Sequence, residues 1–203
     1  NLSDSYLGPI LRVQRGDLLR IRFHNGLLEP TVVHWHGLIL PEAMDGHPRD
    51  AVPPGGEYLY EFTVLNRAGT YWFHPHPDGV TGPQVYKGLA GLLIVSDPLE
   101  QSLDLPRGDH DLALVIQDRR FDAANRLVYD TGDMMGGFLG NRILVNGRPE
   151  AVLPVSTRAY RLRVLNGSNS RIYKLAWGDG APLTIIGTDG GLLTAPVRLD
   201  RIQ

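Results

Sequence analysis

The chain has 203 residues and a mass of 22.4 kDa, and its 42% hydrophobic content suits one large or two modest globular domains. A net charge of −2, a pI near 6.4 and scattered basic residues exclude an electrostatic footprint for nucleic acid or an anionic membrane surface. Cysteine is absent, which removes disulfides, thiolate zinc sites and thiol catalysis, and no apolar run reaches the ~20 residues of a membrane-spanning helix. Asn1 opens no charged-then-apolar signal segment, so any export signal is expected to have been removed or never to have existed.

The spacing predicts strands at residues 10–13 and 18–24, broken at Arg15-Gly16-Asp17. In the second, Leu19, Ile21 and Phe23 alternate with Arg20, Arg22 and His24, the pattern of a sheet with one wet face, and Asn25-Gly26 turns the chain. A strand over 31–36 follows, then a loop over 41–56 too rich in proline and glycine for a helix. Alternation predicts a strand at 58–64 and another at 69–74. Pro75 cannot donate to a sheet ladder, so that strand is expected to end there or run along an edge. Residues 89–95 read as a continuous apolar strand ended by Ser96-Asp97-Pro98.

Pro98, Pro106 and Gly108 place a boundary between 98 and 108, giving a first domain over 1–99, a linker over 100–111 and a second domain over 112–203. A second strand series starts at 112–116. The glycine-rich run 132–140 lacks the Gly-Lys-Ser/Thr ending of a phosphate loop and reads as a mobile loop, with Met134 and Met135 as poor metal-ligand candidates.

An internal repeat joins the two halves. Leu19-Arg20-Ile21-Arg22-Phe23-His24-Asn25-Gly26 is echoed by Tyr160-Arg161-Leu162-Arg163-Val164-Leu165-Asn166-Gly167, which implies two similar β domains. From Gly26 to Asp97 is 71 residues (97 − 26), whereas only 36 (203 − 167) follow Gly167, so the second domain is expected to be incomplete. The second copy is followed by Ser168-Asn169-Ser170, with no histidine pair. Asn166-Gly167-Ser168 also fits a glycosylation acceptor, although the turn already accounts for Asn-Gly.

Four of the seven histidines fall in two His-x-His pairs, His34-Trp35-His36 and His74-Pro75-His76, whose first members are 40 residues apart. In an extended strand, side chains two apart share a face, so each pair presents two imidazoles in one direction. Neutral imidazole suits copper, zinc, nickel or iron, and a mononuclear zinc hydrolase is one reading of such a set. Hydrogen-bonded histidines in a β core are the other ordinary reading. Against hydrolysis, no acid adjoins either pair. The nearest acids are Glu42, Asp45 and Asp78.

Five motifs resemble the first cupredoxin domain of the multicopper oxidases, in the bacterial laccase-like, three-domain branch: His34-Trp-His-Gly-Leu38, Met44-Asp45-Gly46, Pro53-Pro54-Gly55, Gly69-Thr-Tyr-Trp-Phe-His-Pro-His76 and Gln84-Val-Tyr-Lys-Gly-Leu-Ala-Gly91. Ile143-Leu-Val-Asn-Gly147, Arg163-Val-Leu-Asn-Gly167 and Thr188-Asp-Gly-Gly-Leu192 look like the start of the family's second, metal-free cupredoxin domain. The resemblance implies an all-β, Greek-key cupredoxin-like sandwich, complete once and then incomplete, and a copper oxidoreductase that reduces dioxygen to water with electrons from a small aromatic reductant. It implies His34 as ligand of a type 2 copper, His36, His74 and His76 as ligands of a type 3 pair, and Asp45 as the acid that assists proton delivery. Trp35 would pack into the core with its indole nitrogen needing one partner.

The sequence also departs from the family. It has no His-Cys-His, so the type 1 copper site, its bridge to the cluster and the remaining cluster histidines must come from the C-terminal remainder of the same polypeptide. Asp78 stands where relatives often carry another histidine. Of the remaining histidines, His24 and His110 read as solvated surface groups and His47, two residues after Asp45, as a neighbour of a solvent channel. The resemblance implies a periplasmic or secreted protein, with no nucleic-acid or membrane partner. Cuprous-ion oxidation and a non-enzymatic copper-binding or scaffolding role are the alternatives within the family.

Overall fold

The computed structural model describes residues 6–130 and 137–203. Met134, Met135 and most of the glycine-rich run lie outside them. The N-terminal half contributes β1 (Ile10–Gln14), β2 (Leu18–His24), β3 (Val33–His36), β4 (Glu57–Thr63), β5 (Gly69–Pro75) and β6 (Gly91–Ser96), with a helix α1 (Thr81–Tyr86) between the last two. A second helix, α2 (Pro98–Ser102), leads into β7 (Asp111–Arg119), β8 (Arg142–Val145), β9 (Arg148–Pro149), β10 (Arg161–Asn166), β11 (Leu183–Thr188) and β12 (Gly191–Leu199).

Strands β1, β6, β5 and β3 form one sheet in that order, with β1 and β6 parallel and the other neighbours antiparallel. The β2–β4 ribbon packs against it. Trp35, Tyr71, Leu93 and Val95 from the sheet meet Tyr60, Phe62 and Val64 in a buried core, and Leu19, Ile21 and Phe23 of β2 add their apolar face to it. Burying these side chains is the dominant favourable term, on the order of 2 kcal/mol each. Arg20 and Arg22 face solvent, so the wet face read from the sequence is the one observed. The expected loop over 41–56 holds no α-helix, only two single 3-10 turns at Glu42–Met44 and Pro48–Asp50.

Three details differ from the sequence reading. Residues Thr81–Tyr86 form a helix that no periodicity announces. Gln84 is fully buried and anchors it, accepting from Thr31 Oγ1 at 2.7 Å and donating to the Pro30 carbonyl at 3.0 Å, so tertiary hydrogen bonds substitute for an amphipathic stripe. Pro98 starts a helix instead of breaking the chain: Asp97 caps it by accepting from Glu100 N at 2.7 Å, and proline at the first helical position lacks the N–H that would be orphaned there. The indole nitrogen of Trp35 has no hydrogen-bond partner among the described residues. Its rings lie 5.5–5.6 Å from those of Tyr60, Phe62 and Phe73 instead.

In the second sheet, ordered β10-β7-β8-β9, β10 runs parallel to β7. It turns its arginines inward. Arg161 pairs with Glu100, and Arg163 clasps Asp111 through Nε at 2.7 Å and Nη2 at 3.0 Å and reaches Thr70 Oγ1 of β5 at 3.1 Å. Arg12 of β1 joins from the other side at 3.3 Å from Asp111. Buried charges persist only when paired in this way. The β11–β12 turn also approaches β5 closely: a Cβ on Gly69 would lie 3.0 Å from Gly191 Cα, while Arg67 Nε donates to the Gly190 carbonyl at 2.7 Å.

Candidate metal centre

The histidines meet because β3 and β5 are antiparallel neighbours in a register that sets His34 opposite His74 and His36 opposite Trp72. All four side chains share one face, and Trp35 and Phe73 between them point into the core. His76 lies just past the end of β5, tied by its backbone N–H to the Val32 carbonyl at 3.1 Å. The His34 ring centroid is 5.6 Å from that of His36, 5.2 Å from His74 and 5.4 Å from His76. Ring nitrogens of His34, His36 and His74 that could ligate a metal all lie within 4.8 Å of one another.

The rings are oriented from behind. His34 Nδ1 donates to the Asp45 carbonyl at 2.7 Å and has the Asp45 carboxylate at 3.2 Å, which leaves Nε2 free. His74 Nδ1 donates to the Pro75 carbonyl at 2.9 Å, again freeing Nε2, and His36 Nδ1 faces that nitrogen at 3.3 Å. His76 Nδ1 is buried with no protein partner among the described residues. A second hydrogen bond that fixes which nitrogen is free is the usual device of metal-ligating histidine.

Electrostatics favour the neutral form of two of the rings, His74 and His36. Burial lowers the His74 pKa to about 4, with the His34, His36 and His76 rings lowering it further against the pull of the Pro75 hydrogen bond. Burial also lowers His36, as do His34 and His76, while the Asp189 carboxylate from the β11–β12 turn opposes them. Imidazole nitrogens gathered in this way, with no thiolate among them, are a donor set that fits copper.

Asp45 stands beside His34 because Gly46 allows the loop to touch β3. At φ +75 Gly46 lies so close that a Cβ there would sit 2.0 Å from the Val33 carbonyl oxygen. His47 Nε2 is 3.9 Å from the other Asp45 oxygen, which brings it to the centre's edge. Glu42 turns away to pair with Arg49, and Asp78 is exposed. His24 sits on the wet face of β2, 3.9 Å from Glu57, and the His110 ring packs 5.0 Å from Tyr160. Sequence reasoning missed Trp72 and Asp189. The first was visible as the member of Trp-x-His-x-His that shares the histidine face. The second, distant in sequence, carried no local signal.

A sequence profile described as multicopper oxidase matches residues 2–100. The chain is 37% identical over 197 residues to the multicopper oxidase mco of Staphylococcus aureus, covering 97% of this chain and 44% of that protein. It is also 37% identical over 204 residues to the cell division protein FtsP of Photorhabdus laumondii subsp. laumondii, covering 100% of this chain and 43% of that one. A solved structure of the bacterial laccase-like multicopper oxidase CueO from Ochrobactrum sp. superposes with a TM-score of 0.91 at 35% identity, covering 97% of this chain and 45% of that one. The chain thus spans less than half the length of the relatives it matches. With its cupredoxin-like β architecture and its cluster of imidazoles, the chain belongs to the multicopper oxidase family.

Proposed function

We propose that this chain supplies half of the trinuclear copper site of a laccase-like oxidase, which couples one-electron oxidation of phenolic or similar small aromatic reductants to reduction of dioxygen to water. The observation that carries the reading is the convergence of His34, His36 and His74 within 4.8 Å, with His76 beside them. His34 is assigned to the type 2 copper and His36, His74 and His76 to the type 3 pair. The copper ions, when bound, supply the electron transfer to dioxygen. The chain's histidines would hold their ring nitrogens toward them, and Asp45, against His34 and within reach of His47, is assigned the holding and passing of protons.

The type 1 site and the other cluster ligands are assigned to the C-terminal remainder of the polypeptide, since this chain contains no cysteine. The domain division at 1–99, 100–111 and 112–203 belongs to the same reading, as does a periplasmic or secreted location. Among the described residues no helix is long and apolar enough to cross a membrane.

Metal analysis combined with oxygen uptake tests the proposal. The complete polypeptide should carry copper and not zinc, and should consume oxygen with a phenol. Replacing His36 or His74 by alanine should abolish uptake while the blue type 1 band persists. Full turnover in either variant would sink the assignment, and zinc without copper would favour a hydrolase. Similarity to a cell division protein favours a second reading, a copper-binding or scaffolding protein without turnover, which predicts no oxygen uptake with phenols or with cuprous ion.

A further inference from the structure

Trp72 occupies the fourth corner of the histidine face. It is the cross-strand partner of His36 and stands two residues before His74 on β5. Its indole lies 4.3 Å from the His74 ring at an interplanar angle of 33° and 4.9 Å from the His36 ring at 32°. Both are tilted ring contacts at close range, the kind of aromatic neighbourhood that adds to simple area burial. A single flat side chain therefore touches two candidate ligands at once.

The contact matters most for His36. His34 is oriented by the Asp45 carbonyl and His74 by the Pro75 carbonyl, whereas His36 has no hydrogen bond to backbone or carboxylate among the described residues. A metal-binding imidazole ordinarily has its plane fixed through its second nitrogen. For His36, whose Nδ1 meets only the His74 Nε2 at 3.3 Å, the indole adds a second restraint on rotation of the ring. Trp72 is itself held fast, packed against the buried cluster of Leu7 on the N-terminal segment, Leu92 on β6 and Val115 on β7. An electron-rich indole face also favours a neighbouring ring that carries part of a metal ion's positive charge.

We infer that Trp72 is a positioning residue for the copper centre, setting the ring planes of His36 and His74. The inference rests on the reading that these imidazoles bind copper. Removing a group that orients a metal ligand characteristically weakens metal affinity by roughly tenfold to a hundredfold.

The test uses the complete polypeptide with Trp72→Phe, Trp72→Leu and, as a control, His36→Ala. It compares copper affinity against a competing chelator, the absorption and circular dichroism of the bound copper, and the thermal midpoint of the metal-free protein. Phenylalanine keeps a flat ring and should keep affinity and spectrum close to wild type. Leucine should lower affinity roughly tenfold and alter the copper circular dichroism, with a thermal midpoint matching that of the phenylalanine variant. Wild-type affinity and spectrum in Trp72→Leu, or equal losses in both Trp72 variants in step with their thermal midpoints, would overturn the inference. If His36→Ala retains full copper content, the copper reading fails and takes this one with it. Copper loss in His36→Ala alone would overturn only the role of Trp72.

Discussion

Strands β2 and β10 spell nearly the same alternation of apolar residue and arginine into an Asn-Gly turn, and they bury opposite faces. In β2, Arg20 and Arg22 stand in solvent while Leu19, Ile21 and Phe23 turn into the core. In β10, Arg161 and Arg163 are 7% and 6% exposed, while Leu162 and Val164 remain 36% and 39% exposed. Alternation fixes the period of a strand, not which side is inside. Counter-charges fix that: Glu100 and Asp111 wait behind β10, whereas the Arg20 partner, Glu61, is itself on the surface of β4.

The largest way to break this contrast is Glu100→Ala. Arg161 would keep a buried guanidinium without its carboxylate, and the expected loss is about 4 kcal/mol in chemical denaturation. A retained stability would mean that β10 arginines are no more committed than those of β2.

A second measurement sharpens the difference between a face of paired charges and the buried imidazole of His74. In the metal-free protein His74 titrates near 4 when folded, against an ordinary value of 6.5. The folded state therefore binds fewer protons than the unfolded chain between these values. The stability contribution is complete above pH 6.5 and is lost as pH falls towards 4, amounting to roughly 3 kcal/mol. Denaturation at stepped pH should show this slope in the wild type and a shallower one in His74→Gln. Equal slopes would remove His74 as the cause.

The smallest expected effect belongs to β2. Arg20→Ala breaks an exposed ion pair with Glu61 and should cost less than about 1 kcal/mol, vanishing at high salt. A loss matching that of Glu100→Ala would erase the distinction between the two strands.

Much of the site was legible because it rests on short-range rules. Period-two spacing placed His34 with His36 on one face, and the motifs containing them pointed to copper. The strand over Leu18–His24 and its wet face followed from the same alternation. What escaped depends on long-range pairing. The register that sets Trp72 beside His36 depends on how two strands align, the charge of Asp189 arrives from a turn far along the chain, and the helix Thr81–Tyr86 leans on Thr31 and Pro30 through Gln84. Pro98 shows a different failure: the cap signature Asp97-Pro98-Leu99-Glu100 was present, but proline was read only as a breaker.

Gly46 carries a consequence for which changes the loop over 41–56 can accept. Its backbone is pressed against Val33, so the stretch from Leu38 to Gly46 has a fixed length to bridge, while the turn tips at Glu42 and Ala43 lie exposed. Substitutions at the tips should be tolerated freely. An insertion of a single residue between Leu38 and Gly46 would slide Asp45 along β3 and withdraw its carbonyl from His34, so the loop can vary in composition but not in length.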